Sequence, residues 1–367
     1  MRKSRPSGPT MRREPTDRCQ PWKRHASPLV RTVVGQILPH LMTRPIIPLG
    51  FALASSILIA GAIWQGAASN AALRRYPPPG ILVRVRGGNV HLNCSGQGGP
   101  TVIMDAALGS FSLEWAAVQP EVARVTRACS FDRPGMGWSE VAAPPRDSQR
   151  IVSELHDLLA AAGLKPPYVL VGHSFGGLNV RLFASEYLPE IAGLVLVESS
   201  HEDQVRLLPR PPAWKSAMRR AVLASSALGL PRLLYSRLAA SMPGSGSEVQ
   251  RALTCTTRSL RTVASELDSF ETSLDQVRSR RRSLGDLPLV VISRADTDGP
   301  TSSTWDAMQR DTLNLSTNAV QVIARHSGHY VPIEEPTVVI DAVERLVSCA
   351  RGADRDCFSG WSSVSGK

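Results

Sequence analysis

"YVLVGHSFGGLNVRLF", residues 168–183, joins an apolar run to a helical pattern through one glycine-flanked serine. The run reads as a strand buried on both faces, because it does not alternate with polar residues. Glycine costs backbone entropy, so Gly172, Gly176 and Gly177 must answer a need for space or for unusual dihedrals. Gly172-His173-Ser174-Phe175-Gly176 supplies the need: a strand ends, a strained serine turns the chain, and a helix begins at once. A serine hydroxyl is a weak nucleophile until a tight turn exposes it and a neighbouring base takes its proton. Ser174 is therefore the candidate nucleophile.

Outward from this turn, short strand-like and helical stretches alternate. "ILVRVRG" and "NVHLNC" read as a hairpin over 81–94, followed by strands "TVIMDA" (101–106) and "RACSFD" (127–132). "DSQRIVSELHDLLAAAGL" has a cap in Asp147 or Ser148, an apolar stripe from Ile151 to Ala162, and Gly163 to close it. A helix over 175–187 and the strands "AGLVLVE", "LPLVVISR" and "AVQVIARH" follow. Strands that read as Val/Ile/Leu runs and alternate with helices predict a parallel sheet covered on both faces, an α/β fold. Residues 201–285 break the alternation with helical patterns alone, too long a stretch for a loop, and predict a small helical subdomain.

A base must follow the serine in the chain, with a carboxylate to orient it. Of eight histidines, His25 and His40 lie in the N-terminal tail. His91 and His156 fall within a strand and a helix, His173 is in the elbow itself, and His201 opens the helical stretch. "ARHSGHYVPIEEP" remains, where His329 sits in a loop before the closing helix and His326 is the runner-up. The carboxylate that fixes the imidazole tautomer is expected in the order Ser, Asp, His. Asp296, just past "LPLVVISR", is the first choice; Asp298 and Glu198, at the end of "GLVLVE", are alternatives at the same edge of the sheet.

Composition bounds the rest. The 367 residues carry a formal net charge of +11, with 43% hydrophobic and 20% charged residues, and can hold one large domain with insertions. Residues 1–45 hold ten Lys/Arg against Glu14 and Asp17, and 201–285 hold fourteen Lys/Arg against seven acids. Charge confined to a tail and one segment, without aromatic interleaving or a recognisable motif, argues against nucleic acid. "IIPLGFALASSILIAGAIWQGAAS", residues 46–69, has no charge over a length sufficient to cross a bilayer as a helix. The basic excess before it predicts a single-pass anchor with a disordered cytoplasmic tail and the rest of the chain outside. The alternative is a cleaved signal peptide and a secreted chain, with Ala67, Ala68 and Ser69 permitting cleavage. "RRYPPPG" marks a linker within 70–80. Of six cysteines, Cys19 lies in the tail; Cys349 and Cys357, with the seven residues "ARGADRD" between them, suit a local bridge in an oxidising compartment. No Cys/His spacing resembles a zinc site, and nothing implies a cofactor.

Over roughly 80–350 the chain resembles the α/β-hydrolase family, through "GHSFGG", "DRPGMGWS" (132–139), "GLVLVESS" and "SGHYVPIEEP" in that order. The resemblance implies an eight-stranded, mostly parallel sheet in the order 1-2-4-3-5-6-7-8. The hydrolase core would occupy 81–200 and 286–350, with 201–285 as a cap inserted after the sixth strand and 351–367 as a tail. That order would bring Cys94 beside Cys129. It also implies an oxyanion hole built from the N–H groups of Phe175 and, from the loop after the third strand, Ala107. Two departures stand out: Asp105-Ala106-Ala107 replaces the family's frequent His-Gly, and "SRAD" lacks a glycine before the expected acid.

The expected activity is a serine hydrolase that cleaves carboxylic esters of a small-molecule acyl substrate through an acyl-enzyme on Ser174. Related sequences also include proline-releasing aminopeptidases and other amide or lactone hydrolases; an epoxide hydrolase would carry aspartate at the elbow. A catalytically silent fold used as a binding module is the alternative outside enzymes.

Overall fold

Alternate residues of the strands flanking Ser174 go to opposite faces of one sheet. Tyr168 and Leu170, Leu194 and Leu196, and Leu289 and Val291 build the core on one side. Val169 and Val171, Val195 and Val197, and Val290 and Ile292 build it on the other. The period of two along a strand makes this sorting automatic, and burial on both faces explains the continuous apolar runs.

The structure, a computed structural model, describes residues 46–141, 143–238, 248–295, 301–352, 357, 358 and 361. Eight strands, β1 (Ile81–Val85), β2 (Gly88–Ser95), β3 (Thr101–Asp105), β4 (Ala128–Phe131), β5 (Tyr168–His173), β6 (Ile191–Val197), β7 (Leu289–Arg294) and β8 (Ala319–Ala324), form one sheet. Their order, β1-β2-β4-β3-β5-β6-β7-β8, is the one expected. The β1–β2 and β2–β4 pairs are antiparallel and the rest parallel. In the β2–β4 register Cys94 faces Cys129, and the two are disulfide-bonded; Cys349 and Cys357 form a second bridge.

The helices, in chain order, begin with α1 (Ile46–Arg75), α2 (Gln119–Val122), α3 (Ser148–Ala161) and α4 (Phe175–Glu186). Between β6 and β7 come α5 (Gln204–Leu207), α6 (Ala213–Ala224), α7 (Leu230–Leu238), α8 (Glu248–Thr254), α9 (Thr257–Asp268) and α10 (Phe270–Ser279). The chain closes with α11 (Ser302–Thr312), α12 (Val331–Glu334) and α13 (Pro336–Ala350). The carboxylate of Asp147 caps α3 by accepting the Arg150 N–H at 3.0 Å, and Ile151, Val152, Leu155, Leu158 and Leu159 are buried along one stripe. Gly163, at φ 67°, ends that helix as its sequence predicts.

The apolar segment predicted over 46–69 is helical through Arg75, so residues 70–75, read above as linker, belong to α1. It is long and apolar enough to cross a membrane by composition and length. The basic tail 1–45, with Cys19, lies outside the described residues. From Ile57 onward the chain belongs to the same compact unit as the sheet. Tyr76, just after α1, accepts the Trp138 indole N–H on its carbonyl at 2.7 Å.

Candidate active site

The turn from β5 into α4 is built as the glycines suggested. Ser174 has φ 52° and ψ −114°, a conformation L residues rarely adopt. It is held there by backbone bonds from its N–H to Val197 and from the Gly177 and Ser200 N–H groups to its carbonyl. A Cβ at Gly172 would lie 2.6 Å from the Gly176 carbonyl oxygen; one at Gly176, 2.3 Å from that of Asp105; one at Gly177, 2.2 Å from Ser199 Oγ. The glycines thus buy the close approach of strand, helix and neighbouring loops around a strained serine.

His329 enters from the loop between β8 and α12. Its Nε2 lies 3.0 Å from Ser174 Oγ, across 155 residues of chain. Its Nδ1 lies 3.2 Å from Glu198 Oε2. The ring is half-buried and the carboxylate fully buried. His326, the other histidine of this loop, is exposed, and its amide donates to Glu335.

Glu198 follows β6 directly, at φ 43°, and β6 pairs with β5 so that Val197 stands opposite His173. The residue after β6 therefore emerges beside the serine. Its carboxylate also accepts the Arg294 N–H and guanidinium, each at 2.9 Å, and the Trp305 indole N–H at 3.2 and 3.1 Å. Burial pushes this carboxyl up, but the bonds from His329 and the Arg294 amide, with the Arg294 charge, hold it below the ordinary carboxylate range. It is ionised wherever the imidazole needs an acceptor. Asp296, the first choice from sequence, and Asp298, the other alternative, lie outside the described residues.

Phe175 is the first residue of α4, where a backbone N–H has no intrahelical acceptor and points outward from the helix end. The Ala107 N–H, the other expected oxyanion donor, is directed instead at Glu114, 3.2 and 3.3 Å from its two carboxylate oxygens. Glu114 itself holds His173: its Oε1 is 2.7 Å from His173 Nδ1, while His173 Nε2 is 2.7 Å from the carbonyl oxygen of His329. Both partners of this buried ring are acceptors, so the ring needs a proton on each nitrogen, and Glu114 is its counter-charge. Burial works against the charge, yet the Glu114 carboxylate and the His329 carbonyl raise His173 above the ordinary imidazole value; against the same burial, the His173 charge holds Glu114 low. Sequence reasoning missed Glu114 because its partner lies 59 residues away.

A second buried pair supports the loop after β3. Arg133, from "DRPGMG", donates to Asp105 Oδ1 at 2.6 Å and to the carbonyls of Ala106 and Ala107 at 2.7 and 2.8 Å. Its Nε donates to Glu266 of α9 at 2.8 Å, and Glu266 also accepts the Gly109 N–H at 3.2 Å. The guanidinium lies over the Phe175 ring, 5.5 Å from its centre. The departure from His-Gly at Asp105 now has a physical reason: the aspartate is the counter-ion of an arginine that fastens the loop.

Among the described residues no group of three or more His, Cys, Asp and Glu could hold a metal ion. The constellation can transfer a proton from a serine hydroxyl to an imidazole backed by a carboxylate.

The profile of the alpha/beta hydrolase family matches residues 90–342. An AB hydrolase superfamily protein of Gibberella zeae is 27% identical, over 69% of this chain and 87% of its own length. A putative lipase from Acinetobacter baumannii superposes with a TM-score of 0.60 at 17% identity, covering 79% of this chain and 97% of the lipase. The epoxide hydrolase CorEH superposes with a TM-score of 0.56 at 19% identity, covering 73% of this chain and 98% of its own.

Proposed function

Because the chain belongs to the alpha/beta hydrolase family, we propose that it is a serine hydrolase that cleaves carboxylic esters, and that α1 anchors it to a membrane. The observation that carries the activity is the run from Ser174 Oγ to His329 Nε2 at 3.0 Å and from His329 Nδ1 to Glu198 at 3.2 Å.

In this reading His329 takes the Ser174 proton as Oγ bonds to the acyl carbon. The carbonyl electrons move to oxygen, and the oxyanion is met by the Phe175 N–H. The Ala107 N–H, held on Glu114 only by long, shared bonds, transfers to the same oxygen. Each such donor contributes about 3 kcal/mol to the transition state. The imidazolium, steadied by Glu198, returns its proton to the departing alcohol oxygen. Water then gives a proton to His329 as its oxygen bonds to the acyl carbon, and the bond from that carbon to Ser174 Oγ breaks as His329 passes the proton to Oγ, releasing the acid and restoring the serine hydroxyl. Glu198 stays ionised throughout.

Serine at the elbow supports acyl transfer over the chemistry of the epoxide hydrolase among its structural neighbours. Each of the seven acids in 201–285 has an arginine within 4.0 Å, Glu202, Asp203, Glu248, Glu266, Asp268, Glu271 and Asp275 alike. With fourteen Lys/Arg against these seven acids, the insertion is basic, which weighs against a site for a substrate ammonium and so against a proline-releasing aminopeptidase. For the membrane, the ten Lys/Arg in residues 1–45 support a cytoplasmic N-terminus.

A fluorophosphonate probe tests the chemistry on the full chain. Labelling of the wild type and none of Ser174→Ala is expected; no labelling of folded wild type would leave a binding module. A series of nitrophenyl esters beside prolyl amides then separates esterase from peptidase.

A further inference from the structure

Gln65 lies near the far end of the apolar segment 46–69, and its side chain is almost wholly buried. Its amide donates to the Cys255 carbonyl at 2.8 Å, and its Oε1 accepts from Arg232 Nε at 3.1 Å. Both partners belong to the helical insertion between β6 and β7. Close by, Gly61 approaches the insertion so tightly that a Cβ would lie 3.1 Å from the Leu228 carbonyl oxygen, and one at Gly229 would lie 2.4 Å from the Trp64 ring. The insertion is therefore seated on α1 at residues 61–65.

Those residues still lie within the uncharged stretch. From Ile46 to Gly61 a helix advances about 22 Å, whereas the hydrocarbon layer is about 30 Å thick. Backbone inside lipid must be helical, so the chain has no longer path to offer. If α1 spans a bilayer from its uncharged start, the insertion meets it before the lipid ends.

The surface of the insertion suits that position. On α6, Trp214 and Met218, one turn apart, are 62% and 56% exposed; on the adjoining α7, Leu233 is 65% exposed and Leu230 is beside it one turn earlier. Lys215 lies over the Trp214 ring at 5.6 Å, an apolar body with a charged tip. On α6 and α9, Arg219, Arg220 and Arg261 line a groove in which Asp268 is the acid. Exposed apolar side chains bordered by Trp and basic residues are what a lipid interface selects, and anionic headgroups answer the arginines.

We propose that α6 and α7 form a second membrane contact, a face that rests in the outer leaflet of an anionic phospholipid bilayer. The proposal rests on the reading of α1 as an anchor. The contact fixes the insertion, and with it Glu266 and the Arg133 network behind the serine, at the lipid surface, where amphiphilic esters partition.

Spin labels on single introduced cysteines test it, with the full chain in nanodiscs containing phosphatidylglycerol: Ile57→Cys on α1, Met218→Cys and Leu233→Cys on the insertion, and Lys165→Cys before β5 as the aqueous control. Fluorophosphonate labelling of Ser174 in each variant verifies folding. Collision with oxygen should exceed collision with a water-soluble nickel chelate several-fold at 57, 218 and 233, and the ratio should invert at 165. Nickel access at 218 and 233 like that at 165, with 57 in lipid, overturns the second contact and leaves the anchor. Nickel access at 57 as well overturns both. Shielding of 218 and 233 from both reagents would mean a protein partner covers the face and overturns the proposal.

Discussion

Glu198 Oε2 lies 3.2 Å from His329 Nδ1 although the two residues are 131 positions apart, and the same carboxylate accepts from the Arg294 amide and the Trp305 indole. Four donors converge on one buried carboxylate at the end of the strand next to the nucleophile's own.

Glu198→Gln keeps the size of the side chain and removes its charge. By analogy with the loss of the orienting carboxylate in serine enzymes, ester hydrolysis should fall about 10³–10⁴-fold in kcat. Asp296→Asn and Asp298→Asn should each retain wild-type kcat within about threefold, well short of the loss of an orienting acid. A fall of the larger size in Asp296→Asn, with Glu198→Gln near wild type, would move the acid to the β7 end.

Much of this was legible. The Val/Leu runs named the strands, the glycines around Ser174 named the elbow, and the loop before the last helices named His329. Strand order and the Cys94–Cys129 neighbourhood followed from the family's motif order, not from any pattern in the residues themselves. Glu198, whose carboxylate meets the His329 ring, stood behind Asp296 in the sequence reading. What marks Glu198 in the structure is a left-handed backbone and donors from Arg294 and Trp305, both distant in sequence. Glu114 escaped notice for a related reason: "SLEW" has no pattern, and only β3–β5 pairing carries its carboxylate to His173. Arg133 was visible as part of a motif, while its partners Asp105 and Glu266 were not.

The Glu114–His173 pair predicts a pH dependence of stability. His173 is raised in the folded chain, so its contribution is complete below the ordinary imidazole value, about 6.5, and fades as pH rises through the raised value. Glu114 is lowered, so its contribution is complete above about 4.3 and fades as pH falls through the lowered value. Urea midpoints across pH 4–9 should decline on the alkaline side in the wild type. Glu114→Gln should lower the midpoint near pH 6 and flatten that decline; an unchanged alkaline slope would remove the charge from His173.

Arg133 faces Asp105 on one side and Glu266 on the other, all three buried. Glu266→Ala leaves the guanidinium with half its counter-charge and frees the Gly109 N–H. Breaking a buried pair from one side costs about 3–5 kcal/mol, readable as a shift in the urea midpoint. Arg133→Met restores apolar contact with Phe175 but strands Asp105, so it should not rescue Glu266→Ala to the wild-type midpoint. Full recovery in the double variant would show that Asp105 does not need the arginine.

The disulfide between Cys94 and Cys129 closes a separation of 35 residues and joins β2 to β4, the strand at which the antiparallel edge meets the parallel sheet. A cross-link over a loop of that size restricts the unfolded chain by about 3–4 kcal/mol in the chain-entropy account. Cys94→Ala with Cys129→Ala should therefore lower the unfolding free energy by about that amount, because the loss falls on the unfolded chain and not on the site. The rate of fluorophosphonate labelling at Ser174 should be unchanged, since the bridge touches none of the site residues. A wild type whose midpoint is insensitive to reductant, with both thiols alkylated under native conditions, would mean the bond is not formed. It would also count against placing the catalytic unit in an oxidising compartment beyond the membrane.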